Sequence, residues 1–254
     1  MKCAINEIFG PTIQGEGLFN GVPSIFVRFN GCNLRCCFKG GSICDTAYTS
    51  HRPEEAEYNT TESATAEIIK ILEQYPNVTD IVFTGGEPML QQDAMADIIK
   101  RLGGDNLCYT VETNGTIPVK ECMEGLVNLW SISPKLSNSE HFDGCDISEV
   151  LQRAHHQNRL NYNAILTYID DEAPVQLKFV YTDAETETEI AQWMQDLYDI
   201  RYIAEPLPVL IMPEGEVVEQ ITKSSKDAIR ACIKHGWRFC DRVHIRICGN
   251  KRAV

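Results

Sequence analysis

The chain has 254 residues, 43% hydrophobic and 23% charged, with 17 glycines and 11 prolines, a balance that excludes a fibre or a disordered polymer and suits one globular domain over residues 1–254. Its 36 acidic side chains outnumber 23 basic ones, for a formal charge of −13, so a phosphate backbone meets a repulsive field and nucleic acid is not an expected partner. No apolar run approaches the roughly 20 residues that span a bilayer, and no basic and apolar leader opens the sequence, which sets the expectation of a cytoplasmic protein without membrane contact.

In chain order, "SIFVRF" (24–29) reads as the first strand, and Ile68, Ile69, Leu72 and Tyr75 give a loose helical stripe. "DIVFTG" (80–85) is a second strand, followed by a helix carrying Met95, Ile98, Ile99 and Leu102 on one face. "LCYTVET" (107–113) and "LWSIS" (129–133) are two more strands. Residues 136–172 show little periodicity and are rich in Asn, Asp and His, the pattern of a surface excursion, with a mobile cover over a site as the alternative. "VQLKFVY" (175–181) is a strand, Ile190, Trp193, Met194 and Leu197 mark a helix, and "PVLIM" (208–212) is a strand. A helix over 222–235 stops at Gly236, and "RVHIRI" (242–247) reads as the last strand. This alternation predicts an α/β fold with a largely parallel sheet, open or curled toward a barrel, and helices outside. Such sheets carry their chemistry at the carboxyl ends of the strands. The unusual residues sit there: a cysteine cluster after 24–29, "TGGEP" (84–88), "ETNG" (112–115) and "SPK" (133–135).

Eleven cysteines stand at 3, 32, 36, 37, 44, 108, 122, 145, 232, 240 and 248. In a chain of this size without an export signal most are expected to be reduced, and Cys108, Cys232 and Cys248, inside apolar segments, read as core. The stretch "GCNLRCCFKGGSICDT" differs, with four thiols between residues 31 and 46. Thiolates are soft ligands, and a short loop carrying several can wrap a zinc ion or an iron–sulfur cluster. A structural zinc site usually draws its ligands from two close pairs, and no second CxxC or HxxxH pair is present. Three ligands with one open position suit an active site better, although a zinc-stabilised binding module stays open.

Cys32-Asn33-Leu34-Arg35-Cys36, with Cys44-Asp45-Thr46 after it, resembles the cluster loop of radical S-adenosylmethionine (radical SAM) enzymes. In that superfamily three cysteines in a CxxxCxxC spacing hold a 4Fe–4S cluster whose fourth iron binds S-adenosylmethionine. The spacing here is CxxxCx(7)C, with "CFKGGSI" in the gap. Its two glycines allow a tight excursion. Cys37 rivals Cys36 as second ligand, and the three-residue gap Asn33 to Arg35 favours Cys36. The flanks narrow the resemblance: "EIFGPTIQGEG" (7–17), "GVPSIFVRFNGC" (21–32), "CDTAY" (44–48), "TGGEP", "ETNG", "SISPK" (131–135), "QLKFV" (176–180), "MPEG" (212–215) and "RVHIRICGNKRAV" (242–254) are together similar to 7-carboxy-7-deazaguanine synthases over nearly the whole chain. An activase that generates a radical on another protein shares the cysteines and "GGEP", yet gives no reason for "IQGEG", Arg28 or "CDT".

The resemblance implies a trimmed (partial) parallel barrel, a homodimer, an electron donor such as a flavodoxin, and a small pterin substrate. The implied reaction is rearrangement of 6-carboxy-5,6,7,8-tetrahydropterin to 7-carboxy-7-deazaguanine with loss of ammonia. Implied cofactors are a 4Fe–4S cluster on Cys32, Cys36 and Cys44, S-adenosylmethionine, and magnesium at Thr46. It assigns Ile43, Cys44, Asp45, Gly85, Gly86, Glu87, Ser133, Pro134, Lys135 and the run Gln176, Leu177, Lys178, Phe179 to the S-adenosylmethionine pocket, with Glu112 as a further contributor. Glycines at 85 and 86 would let main chain approach the ligand. For the substrate it assigns Ile13, Gln14, Gly15, Glu16, Arg28, Thr84, His244 and the terminal Val254. Arg28 suits a two-pronged grip on the pterin carboxylate, and Glu16 can accept from pterin N–H groups, while a structural ion pair is the ordinary alternative for a buried arginine.

Overall fold

A computed structural model describes residues 1–39, 42–104 and 106–253. Its elements in order are β1 (Lys2–Ile13), β2 (Pro23–Phe29), β3 (Cys37–Phe38), β4 (Ser42–Ile43), α1 (Ala47–Ser50), β5 (Tyr58–Thr60), α2 (Thr61–Gln74), β6 (Asp80–Gly85), α3 (Gln92–Leu102), β7 (Cys108–Thr113), β8 (Leu129–Ile132), α4 (Glu149–Asn158), α5 (Tyr162–Asp170), β9 (Val175–Tyr181), α6 (Ala184–Ile200), β10 (Val209–Pro213), α7 (Val218–His235), β11 (Arg238–Phe239) and α8 (Val243–Cys248). Nine strands form one sheet in the order β11-β10-β9-β8-β7-β6-β2-β1-β5, and β3 and β4 form a separate hairpin. From β2 to β11 the neighbours are parallel, while β1 runs antiparallel to both β2 and β5. The expected parallel α/β sheet is thus present, with an antiparallel edge.

Strand alternation divides the sheet into two faces. Val27, Phe29, Phe83, Val111, Ile132, Leu177, Phe179 and Ile211 join Ile68, Met95, Ile98 and Trp193 of the helices in the buried core. The opposite face presents Arg28, Thr84, Glu112, Ser131 and Lys178 to a large cavity. Helix ends follow the local chemistry: the Thr60 and Asp183 side chains accept from backbone N–H groups at the starts of α2 and α6, and α7 stops at Gly236, whose φ of 72° is left-handed.

Three segments depart from the pattern-based expectation. The first strand is β1, whose internal Asn6, Glu7, Gly10 and Pro11 break the strand signature; the sheet absorbs them as register shifts against β2. "RVHIRI" is the helix α8 and not a strand. Val243, Ile245 and Ile247 alternate and mimic a strand, but only Ile245 is buried, and β11 already occupies the sheet edge. Residues 136–172 hold α4 and α5 and are built into the body of the protein: Asn161 donates to the Thr116 carbonyl, and Tyr168 is fully buried against Trp130. Because α4 buries only His155, it has no apolar stripe to read.

Cys37 and Cys145 are joined as a disulfide with a Cα–Cα distance of 6.8 Å, and the other nine cysteines are free. This link, with the His141 N–H donating to the Cys37 carbonyl (2.9 Å), pins the β3–β4 hairpin to the 136–148 segment.

Candidate active site

The insert between Cys36 and Cys44 folds back on itself. Cys37 pairs with Ile43 and Phe38 with Ser42, so the chain returns to its starting point and the Cys44 N–H donates to the Cys36 carbonyl at 3.3 Å. The hairpin cancels the extra residues of the spacing; its tip, Gly40 and Gly41, lies outside the described residues. Cys32, Cys36 and Cys44 then line one end of a cavity of about 980 Å³. Burial pushes the Cys32 thiol up to about 12 and raises Cys36 and Cys44 as well, with neighbouring negative charge adding to the effect in each case. Cys32 Sγ also receives the Leu34 N–H at 3.4 Å and faces the Asn114 amide at 4.0 Å. The loop is braced from behind: the Arg35 N–H donates to His155 Nδ1 (3.0 Å), and burial depresses this imidazole to about 4.

The cavity floor is a row across five strands. Register places Arg28 beside Thr84, Glu112 beside Ser131 and Ser131 beside Gln176, while the Thr84 hydroxyl donates to Glu112 at 2.8 Å. Lys178 bridges Glu16 (2.7 Å) and Glu112 (3.2 Å). Burial opposes both charges, but the Glu16 carboxyl is held well below the ordinary range by Lys178, Arg242 and His244, and the Lys178 ammonium is raised by Glu112 and Glu16. Arg28 donates through Nε to Glu7 at 2.7 Å; among the described residues its terminal nitrogens carry no hydrogen bond. Glu7 is shared, accepting also from Tyr48 (3.0 Å) and from Arg252 (2.8 Å), whose guanidinium stacks 3.9 Å over the Tyr48 ring. The C-terminal residues 249–253 thereby run along the cavity wall.

A model of the radical SAM superfamily matches residues 26–165. The 7-carboxy-7-deazaguanine synthase of Halobacterium salinarum is 34% identical over 247 residues, covering 96% of this chain and 89% of that protein. That of Rhodopirellula baltica is 34% identical over 95% of this chain and 85% of its own length, and that of Pyrobaculum aerophilum 28% identical over 99% and 97%. The chain belongs to the 7-carboxy-7-deazaguanine synthase family of radical SAM enzymes. A crystal structure of QueE from Escherichia coli, 22% identical, has the same fold, with a TM-score of 0.60 over 96% of this chain and 95% of that one.

Radical SAM synthases of this family carry a 4Fe–4S cluster and S-adenosylmethionine, with magnesium as a further cofactor. The thiol end of the cavity fits a cluster. Three free thiols line one wall, each raised by burial and by nearby negative charge, a situation that a metal cluster would relieve by supplying compensating positive charge. Among the described residues no three His, Cys, Asp or Glu side chains stand close enough to share a single ion. The Thr46 hydroxyl meets Cys44 Sγ at 3.3 Å and the Gly85 carbonyl at 3.4 Å.

Of the residues that synthase resemblance assigns, Ile13, Gln14, Gly15, Glu16, Arg28, Ile43, Cys44, Asp45, Thr46, Thr84, Gly85, Gly86, Ser133, Lys135, Lys178 and His244 all line this one cavity. Five do not. Leu177 and Phe179 point into the core as strand alternation demands, Pro134 is off the wall, and Gln176 bridges Ser131 and the Leu18 N–H. The Glu87 carboxylate is fully buried and bonded to Met89 N, Thr113 Oγ1 and Asn114 N, a clamp between the ends of β6 and β7. Val254 lies outside the described residues. The glycines of "GGEP" answer first to the chain itself: a Cβ on Gly85 would sit 2.2 Å from the Phe29 carbonyl oxygen and one on Gly86 2.1 Å from that of Gly31. Gly15 is tighter still, since a Cβ there would fall 1.9 Å from His244 Nδ1. Gln14 donates to Asp80 at 2.7 Å. Sequence reasoning missed Glu7, Asn114, His155, Arg242 and Arg252 as parts of the site, although Asn114 stands in "ETNG" and the two arginines in the quoted terminal stretch.

Proposed function

We propose that this cavity rearranges 6-carboxy-5,6,7,8-tetrahydropterin to 7-carboxy-7-deazaguanine with loss of ammonia. The observation that carries the reading is a single cavity lined both by three free thiols and by a polar row of Arg28, Thr84, Glu112, Lys178 and Glu16, all but the threonine charged. Cys32, Cys36 and Cys44 would hold the 4Fe–4S cluster, which supplies the one-electron reduction that cleaves S-adenosylmethionine. Asp45, Gly86, Ser133 and Lys135 flank the thiols and suit the amino, carboxylate and ribose groups of that cofactor. Arg28, oriented by Glu7, offers its terminal nitrogens to the pterin carboxylate. Glu16 keeps its charge against Lys178 and Arg242 and has lone pairs left for the guanidine-like edge of the pterin. His244, whose imidazole is lowered by burial, can exchange a hydrogen bond with a ring nitrogen. Magnesium is assigned to Thr46 together with substrate oxygens and water, because one neutral hydroxyl is a poor site for a hard cation. A homodimer, a flavodoxin-type donor and a cytoplasmic setting complete the reading.

Anaerobic reconstitution tests it. The expected result is a brown protein with about four irons per chain that releases ammonia and 7-carboxy-7-deazaguanine when given S-adenosylmethionine, reductant, magnesium and the carboxypterin. A fully loaded protein that cleaves S-adenosylmethionine yet leaves the pterin untouched would overturn it.

A further inference from the structure

Arg242 is the residue through which the two ends of the cavity touch. Its three nitrogens go to three different segments: Nε donates to Glu16 in the β1–β2 loop (2.9 Å), one terminal nitrogen to the Gly215 carbonyl after β10 (2.7 Å), and the other to Asp45, next to Cys44 (2.8 Å). The side chain is 11% exposed. Its backbone is fixed too, since the Arg242 N–H donates to Asp241, whose other oxygen accepts from Arg246, and the next N–H, of Val243, donates to the Gly15 carbonyl. Glu16 and Asp45 repel one another, and Arg242 is the cation that lies between both. A planar fork can satisfy three acceptors in fixed directions, whereas a lysine ammonium in the same place is one point charge.

We propose that Arg242 is a positioning residue that couples binding of the two small molecules. A pterin that bonds Glu16 adds an anchor to this bridge and, through the guanidinium, holds Asp45 more tightly beside the S-adenosylmethionine site; the second ligand then has less motion left to freeze out. Coupling of this kind is reciprocal, so each ligand tightens the other by the same factor. The inference rests on the functional reading above.

The test uses reconstituted enzyme under anaerobic conditions without reductant, so that nothing turns over. The dissociation constant of S-adenosylmethionine is measured by calorimetric titration with and without the carboxypterin, alongside iron content. Wild type is expected to show tightening of at least about fivefold, the low end of ordinary coupling. Arg242→Gln with wild-type iron content should show a ratio near one, and Arg242→Lys a value between. A wild-type ratio of one, or an Arg242→Gln variant that keeps the full ratio, overturns the proposal. Should Arg242→Gln fail to take up a cluster, Asp45→Asn, which cuts only one arm of the bridge, decides by the same ratio. Failure of the functional reading looks different: wild type then binds no pterin. The bridge is in that event judged on S-adenosylmethionine alone, whose affinity should weaken at least about fivefold in Arg242→Gln and whose unchanged affinity would refute it.

Discussion

The two ends of the cavity are built on opposite electrostatic plans. At the cluster end Cys36 is buried and Cys32 and Cys44 are half-buried, and burial raises all three thiols. At the substrate end Glu16, Glu112, Lys178 and Arg242 are already paired in a continuous chain, which reaches Asp45 beside the thiols. The first region is short of compensating positive charge, while in the second each of these charges already faces an opposite one. A metal site can leave its charge balance to the metal; a pocket that must orient a polar heterocycle needs its dipoles fixed in advance.

This contrast can be broken from either side. The largest effect is expected at the cluster end, where Cys32→Ala, Cys36→Ala or Cys44→Ala should abolish both cluster and product, while Cys37→Ala, which removes a disulfide partner only, keeps its iron; elemental analysis after reconstitution reads both. At the substrate end Lys178→Met leaves two carboxylates without their shared cation, and a loss of about 3–5 kcal/mol in urea unfolding is expected, as for other broken buried pairs. An unchanged midpoint would mean that the chain of charges contributes nothing to the fold. The third effect sharpens the boundary between the regions. Burial depresses the His155 imidazole to about 4 in the folded protein, against about 6.5 for a solvated one. The unfolded chain therefore binds a proton that the folded one refuses, so stability is full above pH 6.5 and falls as the pH drops toward 4, by at most about 3 kcal/mol. In His155→Gln that part of the slope should disappear from urea midpoints measured between those values.

Much of this was legible in the sequence because it is local. The thiols, "TGGEP" and the β-branched runs declare themselves within a few residues, and β2 and β6 to β10 and the helices α2, α3, α6 and α7 follow from period alone. What was illegible depends on distance or on disguise. The Arg242–Glu16 contact spans 226 positions, and no spacing rule reaches so far. β1 hides behind a Gly-Pro step and polar residues, α4 buries a histidine where an apolar stripe would be looked for, and α8 imitates a strand by alternating three aliphatic residues. Arg28 illustrates a middle case: the ion pair that the ordinary reading expects is present, to Glu7, while among the described residues its terminal nitrogens carry no hydrogen bond.

The hairpin between Cys36 and Cys44 has a practical corollary. Once a two-stranded stem brings the chain back to its point of departure, the number of residues in the excursion stops mattering to where Cys44 falls. Pattern searches that insist on a fixed interval will overlook such proteins, and the stem offers a place where foreign sequence, a tag or a reporter could be grafted beside the cofactor without disturbing its ligands.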